Sequence, residues 1–271
     1  MELSVNGLSS YAYTGGKLLK PDLDPALPAV VFIHGAELDH SCWGLQSRWF
    51  AHHGFAVLAV DLPGHGRSAG PPLSNIEEMA TWIVALLDAA GIARAALVGH
   101  SMGSLAALDA AARFPERVSR IALLGNATPM PVSKALLDAA GDDTGRAEAM
   151  INAWSHSPHG HIGGNTAPGM WMYGASRRLM ARAERSVLFN DLSACNNYAQ
   201  GLAQAAVVRC PALLLSGNRD QMTSLKAAKT LATVLPDARL QVLDGAGHSL
   251  MAEQPDAVLD ALRGFLAGDR G

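Results

Sequence analysis

The sequence has no long apolar run. Nowhere do about twenty apolar residues follow one another, and the start, Met1-Glu-Leu-Ser-Val-Asn-Gly7, has no basic stretch leading into an apolar one. Neither a membrane-spanning helix nor an export signal is expected, and the chain reads as soluble and cytoplasmic. It also lacks clusters of one charge: Lys and Arg number 21 but never gather into a tract able to follow a phosphate backbone, so nucleic acid is not an expected partner. Cysteine is scarce. Cys42, Cys195 and Cys210 are odd in number and far apart, which excludes a disulfide framework and a C-x-x-C zinc or redox pair, and they read as free thiols. Charged residues make up only 17% against 49% hydrophobic ones, a balance that demands a large buried interior and argues against disorder. No internal repeat or low-complexity tract is present.

What is there alternates between strand and helix patterns. Asn6-Gly7 separates two short alternating segments, the signal of a tight hairpin. Continuous apolar runs follow at Ala29–Ile33, Ala56–Val60, Ala95–Val98, Ile121–Leu124, Ala212–Leu215 and Leu240–Leu243, as expected of strands covered on both faces. Helical spacing appears over Ile76–Ala90, with Ser74 as its N-cap and Glu77 completing a capping box, and over Leu105–Phe114. Such alternation predicts an α/β fold with a mostly parallel sheet between helical layers. The rhythm breaks between Asn126 and Ala206, a stretch rich in Met, Trp, Gly and His. This reads as a helical cap, residues 126–206, inserted into a core formed by residues 1–125 and 207–271.

Gly99-His100-Ser101-Met102-Gly103 fits G-x-S-x-G and lies between a strand and a helix, where that motif has physical meaning. A sharp turn there exposes a serine hydroxyl at the sheet edge, and the start of the following helix favours a developing negative charge. A serine needs a base to take its proton. His248, in Asp244-Gly-Ala-Gly-His248 after the last strand, is the candidate; His34, His65 and His100 read as turn or packing residues, and His52 and His53 as helical. The carboxylate that orients the base is expected after another strand, and Asp220 answers, whereas Asp191 falls in the insertion and Asp237 precedes a strand. Two backbone donors complete the site, the N–H groups of Met102 and of Ala36 in His34-Gly35-Ala36.

Through His34-Gly35, Asp61-Leu-Pro-Gly-His65-Gly-Arg-Ser68, Gly99-His-Ser101-Met-Gly103, Asp220 and His248 the chain resembles the α/β-hydrolase superfamily. The resemblance implies an eight-stranded sheet of order 1-2-4-3-5-6-7-8, a cap after the sixth strand, nucleophilic catalysis and no cofactor. Serine at position 101 separates the chain from relatives of the superfamily that carry Asp there, the haloalkane dehalogenases and epoxide hydrolases. Hydrolysis of a small-molecule carboxylic ester is the leading expectation, with short or medium acyl chains because no long, uniformly apolar helix of the lipase-lid kind occurs. Thioesterases, lactonases, C–C bond hydrolases and cofactor-free perhydrolases share the triad and stay open, although the short His34-Gly35-Ala36-Glu37 loop counts against the C–C hydrolases. A small-molecule receptor on the same fold is the non-enzymatic alternative.

Weaker features concern the substrate. Trp43, Met170 and Trp171 are candidate pocket walls, since apolar and aromatic side chains supply most of the buried surface of such sites. Glu37, Asp39 and His40 read as a solvated loop leading into a helix. His156-Ser-Pro-His159-Gly-His161 has imidazoles but no paired ligands, so no metal is expected.

Overall fold

The hairpin expected at Asn6-Gly7 opens the sheet. In the computed structural model, which describes residues 1–17, 27–142, 144–161, 171–184 and 186–267, β1 (Glu2–Val5) pairs antiparallel with β2 (Leu8–Tyr13). Asn6 and Gly7 take positive φ values of 51° and 82°, the conformation a twist-matched two-residue turn requires. The apolar runs become β3 (Ala29–Ile33), β4 (Ala56–Val60), β5 (Ala95–His100), β6 (Val118–Leu124), β7 (Ala212–Gly217) and β8 (Ala238–Leu243). They form one eight-stranded sheet in the order β1-β2-β4-β3-β5-β6-β7-β8. β2 joins β4 antiparallel, and every later pair is parallel.

Helices link the strands. They are α1 (Gly44–His52), α2 (Ile76–Ala89) and α3 (Met102–Arg113), then α4 (Lys134–Gly141), α5 (Arg146–Ser155), α6 (Pro158–His161), α7 (Met172–Met180), α8 (Val187–Asn197) and α9 (Gly201–Val207) between β6 and β7. The chain continues through α10 (Leu225–Val234), between β7 and β8, to α11 (Leu250–Glu253) and α12 (Pro255–Leu266). Because side chains alternate across a strand, the continuous apolar runs divide between two layers. Val31, Ile33, Leu58, Leu97, Ile121 and Leu214 pack with α2, α3 and α10, while Val30, Phe32, Val57, Val98, Leu124 and Leu215 pack with α1, α11 and α12. Each such fully buried side chain contributes about 1.5–3 kcal/mol. A third cluster, Leu136, Ala139, Ala147, Leu188 and Leu192, joins α4, α5 and α8. α9, at the end of the stretch read as insertion, packs on α3 and α10, and its Ala205 belongs to the first sheet layer.

The cap of α2 differs from expectation by one residue. Asn75, not Ser74, accepts from the N–H of Glu78 (2.7 Å), and the Glu78 carboxylate turns back to Ser74 (3.0 Å). The box therefore uses Asn75 and Glu78 in place of Ser74 and Glu77. Both pairs have the spacing of a capping box, and the helix takes the one that leaves Ile76 and Met79 facing the core.

The contact that positions the site is between β5 and α3. A Cβ on Gly99 would lie 2.2 Å from the Gly103 carbonyl oxygen, and one on Gly103 would lie 2.5 Å from the carbonyl oxygens of both Ile33 and His34. Strand and helix approach this closely only without side chains. We predict that Gly103→Ala lowers unfolding stability by about 1–3 kcal/mol, since backbone must move. Gly264→Ala, on α12 where a Cβ meets nothing within 4 Å, should raise it by about 1 kcal/mol. Urea denaturation of the two variants checks this; equal effects would refute the close-approach argument.

Candidate active site

The loops after β3, β5, β7 and β8 gather at the carboxyl edge of the parallel strands, where ligands bind in open α/β sheets. Ser101 stands between β5 and α3 with φ 51° and ψ −117°, a strained conformation for a residue with a side chain, costing about 1–3 kcal/mol. The surroundings hold it there. Its N–H donates to the Leu124 carbonyl (2.9 Å) and its carbonyl accepts from the Ser104 N–H (2.9 Å), while Asn126 Nδ2 donates to Ser104 Oγ (2.6 Å). Met102 is the first residue of α3, so its N–H precedes the helical ladder and has no intrahelical acceptor.

Asp220 and His248, expected as partners, meet. His248 Nδ1 donates to Asp220 Oδ2 at 2.8 Å, with both side chains withdrawn from solvent. Asp220 Oδ1 accepts from the N–H groups of Met222 and Thr223, both at 2.8 Å, and Oδ2 also accepts from Thr223 Oγ1 at 2.7 Å. Burial works against the carboxylate's charge, but His248 and the Thr223 donors outweigh it, and the pKa falls to about 2. Asp220 is thus an anion at neutral pH. With Nδ1 committed as a donor, the other ring nitrogen of His248 is the one free to accept a proton.

Ser101, His248, Gly35 and Ala36 line one cavity of about 220 Å3. A Cβ on Gly35 would sit 3.2 Å from that of Ser101, and one on Gly125 would sit 2.9 Å from the His248 ring, so the loop after β3 is drawn against the serine turn and the His248 ring against the end of β6. The remaining wall is largely apolar and includes Leu136, Ile151, Trp154, Met180 and Leu192.

The neighbouring histidines have separate tasks. His100 donates through Nε2 to the His248 carbonyl (2.9 Å), and burial with the adjacent His248 pushes its pKa down to about 3. His34 donates through Nδ1 to the Gly35 carbonyl (2.8 Å) and accepts from the Leu62 N–H (3.1 Å); burial and the nearby His65 lower its pKa to about 4. Both are neutral braces. His65 differs. Its nitrogens face two acceptors, the Pro63 carbonyl (3.0 Å) and Asp191 Oδ2 (2.8 Å), and although burial opposes the charge, Asp191 outweighs it and raises the pKa.

Asp191, set aside in the sequence because it lies in the insertion, reaches from α8 to this loop. The same Oδ2 accepts from the Glu37 N–H at 2.9 Å, where the chain has a φ of 56°. Glu37 and Asp39 are accordingly buried, not solvated, and His40 bonds Asp61 (2.8 Å). A second buried carboxylate, Glu253, accepts from the Gly247 N–H beside His248 and from the Ser157 N–H, both at 2.9 Å. The pocket residues read from sequence fare less well. Trp43 is a core residue packed on Phe32 (ring centroids 5.3 Å) and does not line the cavity; it precedes α1 on the buried side. Trp171 is 65% exposed at the start of α7, and Met170 lies outside the described residues. The aromatic wall is Trp154, whose signal was its i, i+3 spacing from Ile151 on α5.

Replacing Asp191 tests the loop brace. His65 has a folded pKa above its ordinary 6.5, so the pair's stabilisation is complete below that value and is lost as pH rises through the folded pKa. Asp191→Asn should destabilise the fold by about 3 kcal/mol at about pH 6 and by less at about pH 9. Urea unfolding at the two pH values measures this; a loss that does not change with pH would contradict the ion pair.

Comparison with known proteins agrees with this architecture. A family model described as alpha/beta hydrolase fold matches residues 28–255. The chain is 33% identical over 258 residues, 88% of its length and 99% of the relative's, to the pimeloyl-[acyl-carrier protein] methyl ester esterase of Aromatoleum aromaticum. It is 28% identical over 257 residues, 88% of its length and 86% of the relative's, to a 2-hydroxy-6-oxononadienedioate/2-hydroxy-6-oxononatrienedioate hydrolase of Paraburkholderia phymatum. Among solved structures, the enol-lactonase from Burkholderia xenovorans LB400 superposes with a TM-score of 0.84 at 23% identity, covering 98% of this chain and all of that one. The chain therefore belongs to the α/β-hydrolase fold family and is a hydrolase.

Proposed function

We propose that the protein is a carboxylesterase-type serine hydrolase acting on esters of small to medium size. The carrying observation is the His248–Asp220 hydrogen bond of 2.8 Å in a loop that lines the same cavity as Ser101. Ser101 Oγ attacks the ester carbonyl carbon while His248 Nε2 takes the hydroxyl proton, and Asp220 stabilises the imidazolium. The N–H groups of Ala36 and Met102 bind the oxyanion that forms, a contribution worth about 10²–10³ in turnover for each donor. Collapse of the tetrahedral intermediate breaks the C–O bond, and His248 returns its proton to the departing alcohol. Water, deprotonated by His248, then attacks the acyl-Ser101 ester; the second intermediate releases the acid and the proton goes back to Ser101.

Two observations support the ester and its size. A relative 33% identical across nearly its whole length is named a methyl ester esterase. The cavity of about 220 Å3 is smaller than the roughly 300–1,000 Å3 of sites for drug-sized ligands, and its wall is largely apolar. Described residues between β6 and β7, in the stretch read as a helical cap, supply most of that wall and in this reading select the substrate.

A series of p-nitrophenyl esters tests the proposal. Acetyl and butyryl esters should be cleaved with higher kcat/KM than the dodecanoyl ester, Ser101→Ala should lose at least about 10⁴-fold in kcat, and Asp220→Asn about 10³–10⁴-fold. Equal rates for wild type and Ser101→Ala would refute it. A wild type that cleaves thioesters or lactones and leaves the oxygen esters intact would reassign the bond.

A further inference from the structure

Beside the Ser101 cavity a second, larger groove shares four wall residues with it, Leu38, His100, Ser176 and Ser249. Its charge is one-sided. Arg48 of α1, Arg178 of α7 and Arg182 just beyond α7 line it, and among the described residues no Asp or Glu does. The chain as a whole carries a net charge of −3, so the surplus is local and does not reflect general basicity. Arg182 is engaged by Asp39 at 3.0 Å. Arg48 and Arg178, from two different elements, have no acidic partner among the described residues. The rest of the lining is mostly apolar, with Leu45, Leu179 and Met251, and includes the polar Ser41, Ser176 and Ser249.

A mostly apolar trough that shares a wall with the Ser101 cavity and carries two unneutralised guanidinium groups suits a hydrocarbon chain ending in an anion. Guanidinium groups bind carboxylates through short charge-assisted hydrogen bonds, and an unpaired pair of them attracts such an end before it docks. We infer that the substrate carries a carboxylate at the end remote from the scissile ester, and that Arg48 and Arg178 hold it in this groove. The inference rests on the carboxylesterase reading above and adds the second functional group of the substrate. Both arginines are exposed, so the discrimination they give is modest and sensitive to salt.

The test compares p-nitrophenyl hexanoate with the mono-p-nitrophenyl ester of adipic acid, which has the same acyl chain length but a terminal carboxylate. The wild type should favour the adipate half-ester by about five- to tenfold in kcat/KM at low ionic strength, mostly through KM, and the preference should shrink as salt rises. Arg48→Gln/Arg178→Gln should abolish the preference, and the charge-preserving Arg48→Lys/Arg178→Lys should keep most of it, which separates charge from a folding defect. A wild type that cleaves both esters with equal kcat/KM, or a glutamine double variant that keeps the full preference, overturns the anion site and leaves the hydrolase reading standing. Cleavage of neither ester would overturn the carboxylesterase reading, and this inference with it.

Discussion

The turn at Ser101 sets the geometry on which the rest of the structure depends. A serine with positive φ is unfavourable, and it persists because its surroundings leave no alternative: its N–H is tied to β6, its carbonyl to the first turn of α3, and the strand and helix on either side touch through glycines. From this follows where every other loop has to end. The parallel order of β3, β5, β6, β7 and β8 delivers the Gly35, Asp220 and His248 loops to the same edge, where Gly35 packs against the serine turn, Gly125 against the His248 ring and Gly217 against the Ala246 carbonyl. The hydrophobic layers on the two faces of the sheet supply the stability that such strain consumes.

Above that edge, the helices between β6 and β7 are attached to the loops by buried carboxylates as well as by apolar packing. Asp191 reaches from α8 to the Glu37 N–H and to His65, and Glu253 joins the Gly247 N–H to the Ser157 N–H after α5. A carboxylate that accepts from two donors in a low-dielectric interior is strongly placed, and removing it leaves those donors unpaired. The loop bearing Ala36 and the loop bearing His248 are therefore each braced against the helical segment that forms most of the pocket wall. A change in the position of that segment is felt by both. Substrate selection and the geometry around Ser101 are in this sense one mechanical problem.

Much of this was legible in the sequence, for a definable reason. Strands buried on both faces leave continuous apolar runs, and residues directly after those runs lie at the sheet edge, so Ser101, Asp220 and His248 could be singled out by position and side-chain chemistry. What was not legible depends on contacts distant in the chain. Asp191 and His65 are 126 residues apart and Glu253 and Ser157 are 96 apart, with no local pattern linking either pair. Trp43 illustrates the converse: its aromatic side chain suggested a pocket wall, but the 3-10 turn His40–Trp43 places the indole in the core beside Phe32. The shift of the α2 cap from Ser74 to Asn75 has a simpler origin. Two adjacent capping residues precede two adjacent glutamates, and only burial of the following apolar face distinguishes the two registers.

The central claim is that Ser101 is the single activated nucleophile. Its most direct test is reaction of the native protein with a fluorophosphonate, followed by proteolysis and mass spectrometry of the labelled peptide. The account predicts one phosphonyl group per chain, on Ser101, with labelling lost in His248→Ala although Ser101 is still present. Label on another residue, or labelling of Ser101 that does not depend on His248, would contradict it.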